Sequence, residues 1–384
     1  MKKEIYFDNA STTPVRGDVL DAMLPYFSEK YGNPGSMHSK GLDALKALYS
    51  ARKKVANYLN CEDKEIIFTG SGTESTNLAI LGFARKKKKG HVIVSAIEHH
   101  AVLHPALKLK EEGFEVTVLN VNNDGLVSLD ELEKSIKNNT ILVSINYANN
   151  EIGTIQEISN IGEICHKHNV IFHTDACQAT PYLDLDVEKL NVDMMTLNGS
   201  KINGPKGVGV LYVKKGIELE PLFYGGGQEN NLRSGTENVP LIVGFAKALE
   251  IARENRVENY RHVLKLSKKL TRGLFKIPKC QINGSTERRL PNNVNFSFLN
   301  VEGEALILLL NEEGIYVSTA SACSSKSLEP SHVLMAIGLK PEVAHGSLRF
   351  TLNWFNTEEE VDYVIQKVTE VVNKLRRISA MEGV

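Results

Sequence analysis

Between residues 65 and 213, short apolar runs alternate with helical stretches, and no other feature of the chain constrains its fold as tightly. Seven runs read as strands: Glu65–Thr69, His91–Ala96, Glu115–Asn120, Ile141–Asn146, Val170–Thr174, Met194–Leu197 and Val208–Val213. Most are rich in Val and Ile, and they are bounded by Gly, Asn, Asp or Lys. Amphipathic segments such as Ala101–Glu112 and Ile158–His168 lie between them, and Ser128 with Glu131 forms a capping-box pattern opening another helix. This rhythm predicts an α/β domain with a mostly parallel seven-stranded sheet covered by helices on both faces. Ligands of such sheets sit at the carboxyl ends of the strands. Polar residues directly after a strand are therefore the first candidates for chemistry.

The rhythm changes near residue 240. Val239–Arg272 reads as long helices, Asn292–Phe298 and Gly346–Leu352 as alternating strands, and Gly303–Glu313 as a helix. Thr357 and Glu360 make a second capping box. Behind it Val361, Val364, Ile365, Val368, Val371, Val372 and Leu375 mark one helix face. The expected organisation is a large α/β domain over residues 15–255, with residues 1–14 and 256–384 forming a smaller α+β domain.

At 384 residues the chain has room for two such domains and a core that needs no disulfide or metal staples. Lys and Arg number 45 against 46 Asp and Glu, so the basic excess of a nucleic-acid-coating protein is missing. No run approaches the roughly 20 apolar residues that span a bilayer. The start, Met1-Lys2-Lys3-Glu4, lacks the apolar stretch of a signal peptide. The five cysteines make no disulfide framework. These features predict a cytoplasmic protein with reduced thiols, with no membrane or direct nucleic-acid partner. The Lys86–Lys89 run ends a helical segment before Gly90, where cations suit the helix dipole.

Post-strand positions collect the polar residues. Gly70-Ser71-Gly72-Thr73-Glu74-Ser75 follows the first strand and opens a helix, an arrangement that can turn backbone N–H groups toward an anion. It lacks the Lys-Ser/Thr ending of a Walker A loop and the third Gly of a dinucleotide fingerprint. Glu98-His99-His100 follows the second strand. One histidine can lie over a planar ligand or move a proton, or the pair simply caps the next helix. A zinc site from His99, His100 and His104 lacks the His-Glu-x-x-His spacing, and no metal is expected. Asn149-Asn150-Glu151 follows the fourth strand. His173-Thr174-Asp175-Ala176-Cys177-Gln178 closes the fifth, and an aspartate there needs a partner, because an unpaired buried carboxylate is costly. Asn198-Gly199-Ser200-Lys201 follows the sixth. Pyridoxal phosphate needs a lysine for its aldehyde, an acid for its ring nitrogen and an anion cradle, which Lys201, Asp175 and the Gly70–Ser75 turn supply on separate strand ends. A structural ion pair of Asp175 with Lys201 is the alternative.

Two further residues come from the C-terminal part. Cys323 lies in the small, polar stretch Ser318–Ser327, where a thiol is accessible and acts as a nucleophile once ionised. Cys61, Cys165, Cys177 and Cys280 read as packing residues. Arg349, in an alternating strand, can grip a substrate carboxylate with its guanidinium fork or make a structural salt bridge.

These motifs resemble the cysteine desulfurases, the IscS/NifS-like branch of the class V aminotransferase family. The likeness runs from Tyr6-Phe7-Asp8-Asn9-Ala10-Ser11-Thr12-Thr13-Pro14 through Tyr31-Gly32-Asn33-Pro34, Glu98–Leu103 and Asn149–Gly153. It continues through His173–Gln178, Lys201–Gly207, Arg233-Ser234-Gly235-Thr236 and Ser321-Ala322-Cys323-Ser324 to Pro330. The resemblance implies the fold type I of pyridoxal-phosphate enzymes and a role for each matching residue. Lys201 is implied as the Schiff-base lysine, and His99 as the group stacked on the ring and moving protons. Asp175 pairs with the ring nitrogen and Gln178 with the ring hydroxyl. Gly72 and Thr73 hold the phosphate, and Asn150 contacts cofactor and substrate. Arg349 binds the substrate carboxylate, and Thr236 reaches the phosphate of a neighbouring subunit in a homodimer. Cys323 accepts sulfur as a persulfide. The Ser324–Pro330 segment resembles the branch that serves iron–sulfur scaffold proteins. Many relatives carry a histidine where this chain has Ser200, which leaves one hydroxyl donor for the phosphate.

The implied reaction converts L-cysteine to L-alanine and leaves sulfur on Cys323, for iron–sulfur cluster assembly or tRNA thiolation. A selenocysteine lyase, a class V aminotransferase and a non-catalytic sulfur-transfer partner are the alternatives. Cys323 and Lys201 weigh against the last two respectively.

Overall fold

The computed structural model describes residues 4–319 and 329–381. Its strands are β1 (Ile5–Tyr6), β2 (Ile66–Thr69), β3 (His91–Ser95), β4 (Glu115–Leu119), β5 (Thr140–Ser144), β6 (Ile171–Asp175), β7 (Met194–Asn198), β8 (Gly209–Val213), β9 (Cys280–Ile282), β10 (Asn293–Phe298), β11 (Ile315–Tyr316) and β12 (Ser347–Thr351). Seven of them form one sheet in the order β2-β8-β7-β6-β5-β3-β4. β8 runs antiparallel to both neighbours and the other ladders are parallel. The carboxyl ends of β2, β3, β5, β6 and β7 therefore share one edge. All seven expected strands are present, with ends shifted by a residue or two.

Strand periodicity divides the core between the two faces of this sheet. Ile66, Phe68, Ile93, Val143, Met195, Leu197 and Val210 pack on one side, with Leu48, Val55, Ile161 and Phe245 from helices. Ile67, Val92, Val94, Leu142, Met194 and Leu211 pack on the other, with Leu78, Phe83, Val102 and Leu109. A sheet buried on both sides must read as continuous apolar runs. The buried strands β3 and β8 show this, whereas the edge strand β4 is only partly buried.

The helix that opens at Gly72 runs to Asn77, continues through a π-helical turn at Leu78–Gly82 and ends in Phe83–Lys87. Lys88 caps it in the left-handed conformation. Arg85 pairs with Glu112 and Lys86 with Glu218.

A second core gathers around the antiparallel sheet β12-β10-β9. It combines Phe296, Leu348 and Phe350 with Leu266 and Leu270 of helix Arg256–Leu274, Leu306 and Leu310 of helix Gly303–Glu312, and Val361, Val364 and Val368 of helix Glu358–Met381. Ile5 and Phe7, from the other end of the chain, belong to the same cluster. Both halves of the Thr357 capping box form: Glu360 N–H donates to Thr357 Oγ1 at 3.3 Å and Thr357 N–H to Glu360 Oε2 at 3.1 Å. No helix among the described residues is long and apolar enough to cross a membrane.

Candidate active site

A cavity of about 330 Å³ opens at the shared carboxyl edge of the large sheet. Gly72, Thr73, His99, Asn150, Asp175, Gln178 and Lys201 line it, together with Arg349. Among the described residues seven separate chain segments meet there, and five of them follow β2, β3, β5, β6 and β7, as expected for a mostly parallel sheet whose strands end at one edge.

After β2, Ser71 caps the helix: its Oγ accepts the Glu74 N–H at 3.1 Å. The first turn of a helix has N–H groups with no partner inside it, and here that turn is Gly72 and Thr73, on the cavity wall. A Cβ on Gly72 would stand 2.9 Å from Cys177 Sγ and 3.2 Å from Asn198 Cβ. Glycine keeps this cradle open.

After β3, His99 caps the helix His100–Glu111 and its Nδ1 accepts the Ala101 N–H at 3.0 Å. That bond places the proton of the neutral ring on Nε2. Burial holds the His99 pKa below its usual value, Asp175 opposes the shift and Lys201 adds to it.

Asp175 is the last residue of β6 and its Oδ1 accepts the Cys177 N–H at 2.9 Å. Beneath it His173 is fully buried between Ser144 Oγ at 2.8 Å and Thr196 Oγ1 at 3.0 Å. Burial pushes this imidazole down to about 4, so it is neutral. Gln178 Nε2 donates to the Ala10 carbonyl at 2.9 Å.

Lys201 ends the short 3-10 turn Gly199–Lys201 after β7, and its Nζ donates to the Ser11 carbonyl at 2.5 Å. The segment around Ser11 bridges the two cores: Ala10 N–H reaches Thr351 Oγ1 at 2.8 Å, and Thr13 N–H reaches the Ser200 carbonyl at 2.9 Å.

Arg349 lies in β12, with its side chain only 3% exposed. Its Nη2 donates to Asp8 Oδ1 at 2.8 Å and to Ser11 Oγ at 2.7 Å, and its Nη1 to the Asn150 carbonyl at 3.2 Å. Its Nε is buried with no partner among the described residues. Arg349 lines the cavity, so its positive charge suits an anionic ligand there.

Two expected residues are not brought to this wall. Ser200 directs its hydroxyl to Asn198 Oδ1 at 3.3 Å. Thr236 is exposed and lines a separate cavity of about 170 Å³ with Gly70, Arg233 and Gly235. Cys323 lies outside the described residues. Cys177, read as a packing residue, is among the residues lining the cavity, and its Sγ lies against the Gly72 backbone. Burial, with Asp175 alongside, pushes that thiol well up, so it stays protonated.

Residue-by-residue reading missed Glu98 and Asn146. Glu98 is fully buried, and its Oε1 accepts from Ser95 Oγ at 2.5 Å and Asn146 N–H at 2.9 Å. Burial raises its carboxyl to about 8. An acidic residue directly after a buried strand was the available signal.

The protein-family model for aminotransferase class-V matches residues 5–364. Cysteine desulfurase IscS of Methanosarcina thermophila is 53% identical over 381 residues, covering 99% of this chain and 94% of that protein. A solved structure of a NifS-like protein superposes with a TM-score of 0.92 at 43% identity, covering 97% of this chain and all of that one. Another, described as SspA in complex with cysteine, gives a TM-score of 0.81 at 38% identity over 93% of this chain and all of its own.

Proposed function

The chain belongs to the aminotransferase class-V family, and from that premise we infer that it is a cysteine desulfurase, converting L-cysteine to L-alanine and passing the sulfur on. The convergence of Lys201, Asp175, His99 and the Gly72–Thr73 helix start with Arg349 on one cavity carries this reading. The family is dependent on pyridoxal phosphate, and the residues present fit that group. The glycine cradle and helix start suit its phosphate, the Asp175 carboxylate its ring nitrogen, and the Lys201 amine its aldehyde. When bound, the cofactor supplies an electron sink that lets a proton leave the carbon beside the substrate amino group.

The rest of the chemistry belongs to the chain. Gly72, Thr73 and Thr236 of a second copy would hold the phosphate in a homodimer, with Ser200 a further donor. Gln178 would bond the ring hydroxyl, and Asn150 would contact cofactor and substrate. Asp175 would keep the ring nitrogen protonated. Lys201 moves the Cα proton at its Nζ, and His99 holds a proton on Nε2 to deliver within the site. Arg349 orients the substrate carboxylate through its guanidinium. The Cys323 thiolate attacks the substrate sulfur: the S–S bond forms as the C–S bond breaks, leaving a persulfide and, after reprotonation, alanine. An iron–sulfur scaffold or another sulfur acceptor then takes the sulfur, in the cytoplasm. Residues 15–255 would form the cofactor domain, and residues 1–14 with 256–384 the smaller one.

Purified protein given L-cysteine and a reductant should release alanine and sulfide in equal amounts. Cys323→Ser should keep the yellow cofactor and lose the persulfide. Sulfide release by that variant at the parent rate would remove Cys323 from the reaction. Cysteine consumption only alongside a keto acid would make the protein a transaminase. A strong preference for selenocysteine, with no dependence on Cys323, would make it a selenocysteine lyase.

A further inference from the structure

Four histidines gather where the helix His100–Glu111 begins. His99 lies on the cavity wall, and its ring centroid is 6.3 Å from that of His100. The His100 ring is in turn 4.7 Å from His104, one helical turn on, and 4.7 Å from His332, at the start of the helix His332–Ala336. His332 Nε2 donates to the carbonyl of Glu98, the residue before His99, at 2.9 Å. Among the described residues no group of His, Cys, Asp or Glu is arranged to hold a metal ion. What the four rings share is charge: a proton on one opposes a proton on the next.

His99 is poorly placed to carry a positive charge. Its Nδ1 accepts the Ala101 N–H at 3.0 Å, a bond that a second ring proton would break. It also caps the helix N-terminus, the positive end of the dipole. Burial holds its pKa down, Asp175 opposes this, and Lys201, His100 and His104 add to it. Arg349 brings another positive charge to the same cavity. The Glu98 carboxyl, raised to about 8 by burial, brings no charge below that pH. His100 shares the helix start, and its Nδ1 is buried with no partner among the described residues, so a charged His100 would leave a buried N–H unpaired. Burial likewise opposes charge on His332. His104 is exposed, so a proton on the cluster is best solvated there.

We propose that His100, His104 and His332 are positioning residues that keep His99 in its one-proton form, with that proton on Nε2, by carrying the proton of the cluster outside the cavity wall at His104. Their place in the reaction rests on the desulfurase reading above, whereas the charge coupling does not.

The holoenzyme is labelled with 13C at histidine Cε1. The His99 signal, identified by its loss in His99→Gln, is followed by NMR from about pH 5 to 9 without cysteine. His104→Gln removes a charge at an exposed position and should raise the His99 midpoint by about half a unit. His104→Lys makes that charge permanent and should lower the midpoint by about as much. Opposite signs from two variants at one exposed site separate charge from packing. The triple variant His100→Gln, His104→Gln, His332→Gln should raise the midpoint by about one unit or more. Its amide at position 332 can still donate to the Glu98 carbonyl. The acid limb of kcat/KM for alanine release should move with the midpoint and in the same direction. Shifts of one sign at His104, or none, overturn the proposal. Where the parent His99 stays neutral throughout, the triple variant decides: His99 must begin to titrate there, or the proposal fails. A midpoint that moves while the acid limb stays overturns the role in the reaction. If the parent releases no alanine from cysteine, the desulfurase reading fails, and the titration alone decides the charge coupling.

Discussion

Lys201 and Ser11 are 190 positions apart in the chain, yet Lys201 Nζ donates to the Ser11 carbonyl at 2.5 Å. The Ser11 hydroxyl accepts from Arg349 Nη2 at 2.7 Å. One residue thus orients both the amine proposed to move the Cα proton and the guanidinium proposed to grip the substrate carboxylate. The N-terminal segment is a strut between the two cores, and it sets the separation of these cations across the cavity.

Lys201→Ala removes the amine and leaves the Ser11 carbonyl at the edge of a cavity that water can enter. The turn holding residue 201 is capped by Asn198 Oδ1 rather than by the lysine side chain, so the fold should survive. Alanine release should fall by about 10²–10⁴-fold or more, with thermal unfolding shifted by only a few degrees. A variant with most of the parent activity would remove Lys201 from the reaction.

Arg349→Lys keeps the charge beside Asp8 and loses the planar fork, including the unpaired Nε. A charge-assisted hydrogen bond contributes about 1.5–3 kcal/mol. The KM for cysteine should therefore rise about 10- to 100-fold, with a much smaller change in kcat. Steady-state kinetics decide it: a fall in kcat at constant KM would mean that Arg349 works on the chemistry and not on carboxylate binding.

The parts of this site that were legible in the sequence are those whose position follows from their own strand. Asp175 and Lys201 come directly after apolar runs, and a parallel sheet sends such residues to one edge. The large sheet was legible for the same reason, since burial on both faces leaves unbroken Val, Ile and Leu. The antiparallel placement of β8 was not, because an apolar run carries no sign of direction. Ser11, Asp8 and Glu151 were named only within motifs, since their partners, Lys201, Arg349 and Ser331, lie 190, 341 and 180 positions away. That Cys177 packs beside the cavity was not legible, because a sequence does not say which side of a turn faces it.

Gly72→Ala pushes a methyl toward Cys177 Sγ at 2.9 Å and Asn198 Cβ at 3.2 Å. The helix start must shift, and the proposed phosphate cradle with it. Affinity of the apoprotein for pyridoxal phosphate, followed by absorbance, should fall about tenfold or more. Cys177→Ala clears the nearer of the two contacts. The double variant should recover part of the lost affinity, a non-additivity expected for residues in contact. Strictly additive losses would mean that Cys177 does not set the room at Gly72.

Glu98 gives the fold a pH dependence of definite sign. Burial raises its carboxyl from 4.5 to about 8, Asp175 adds to the rise, and the bonds from Ser95 and Asn146 only partly oppose it. The folded state therefore keeps a proton that the unfolded chain releases. The stability contributed by neutral Glu98 is full below about pH 4.5 and is lost as pH rises through about 8. Glu151, raised to about 7 by burial, acts in the same direction over a narrower range. Glu98→Gln is neutral at every pH, and its amide oxygen can take the donors that Oε1 now takes. Its unfolding free energy, measured in urea from pH 5 to 9, should gain on the parent as pH rises and level off above about 8. The total gain should be at most about 4–5 kcal/mol, at 1.36 kcal/mol per pKa unit. The variant should keep the shallower slope contributed by Glu151. Parallel curves for parent and variant across this range would show that Glu98 is ionised in the folded protein throughout.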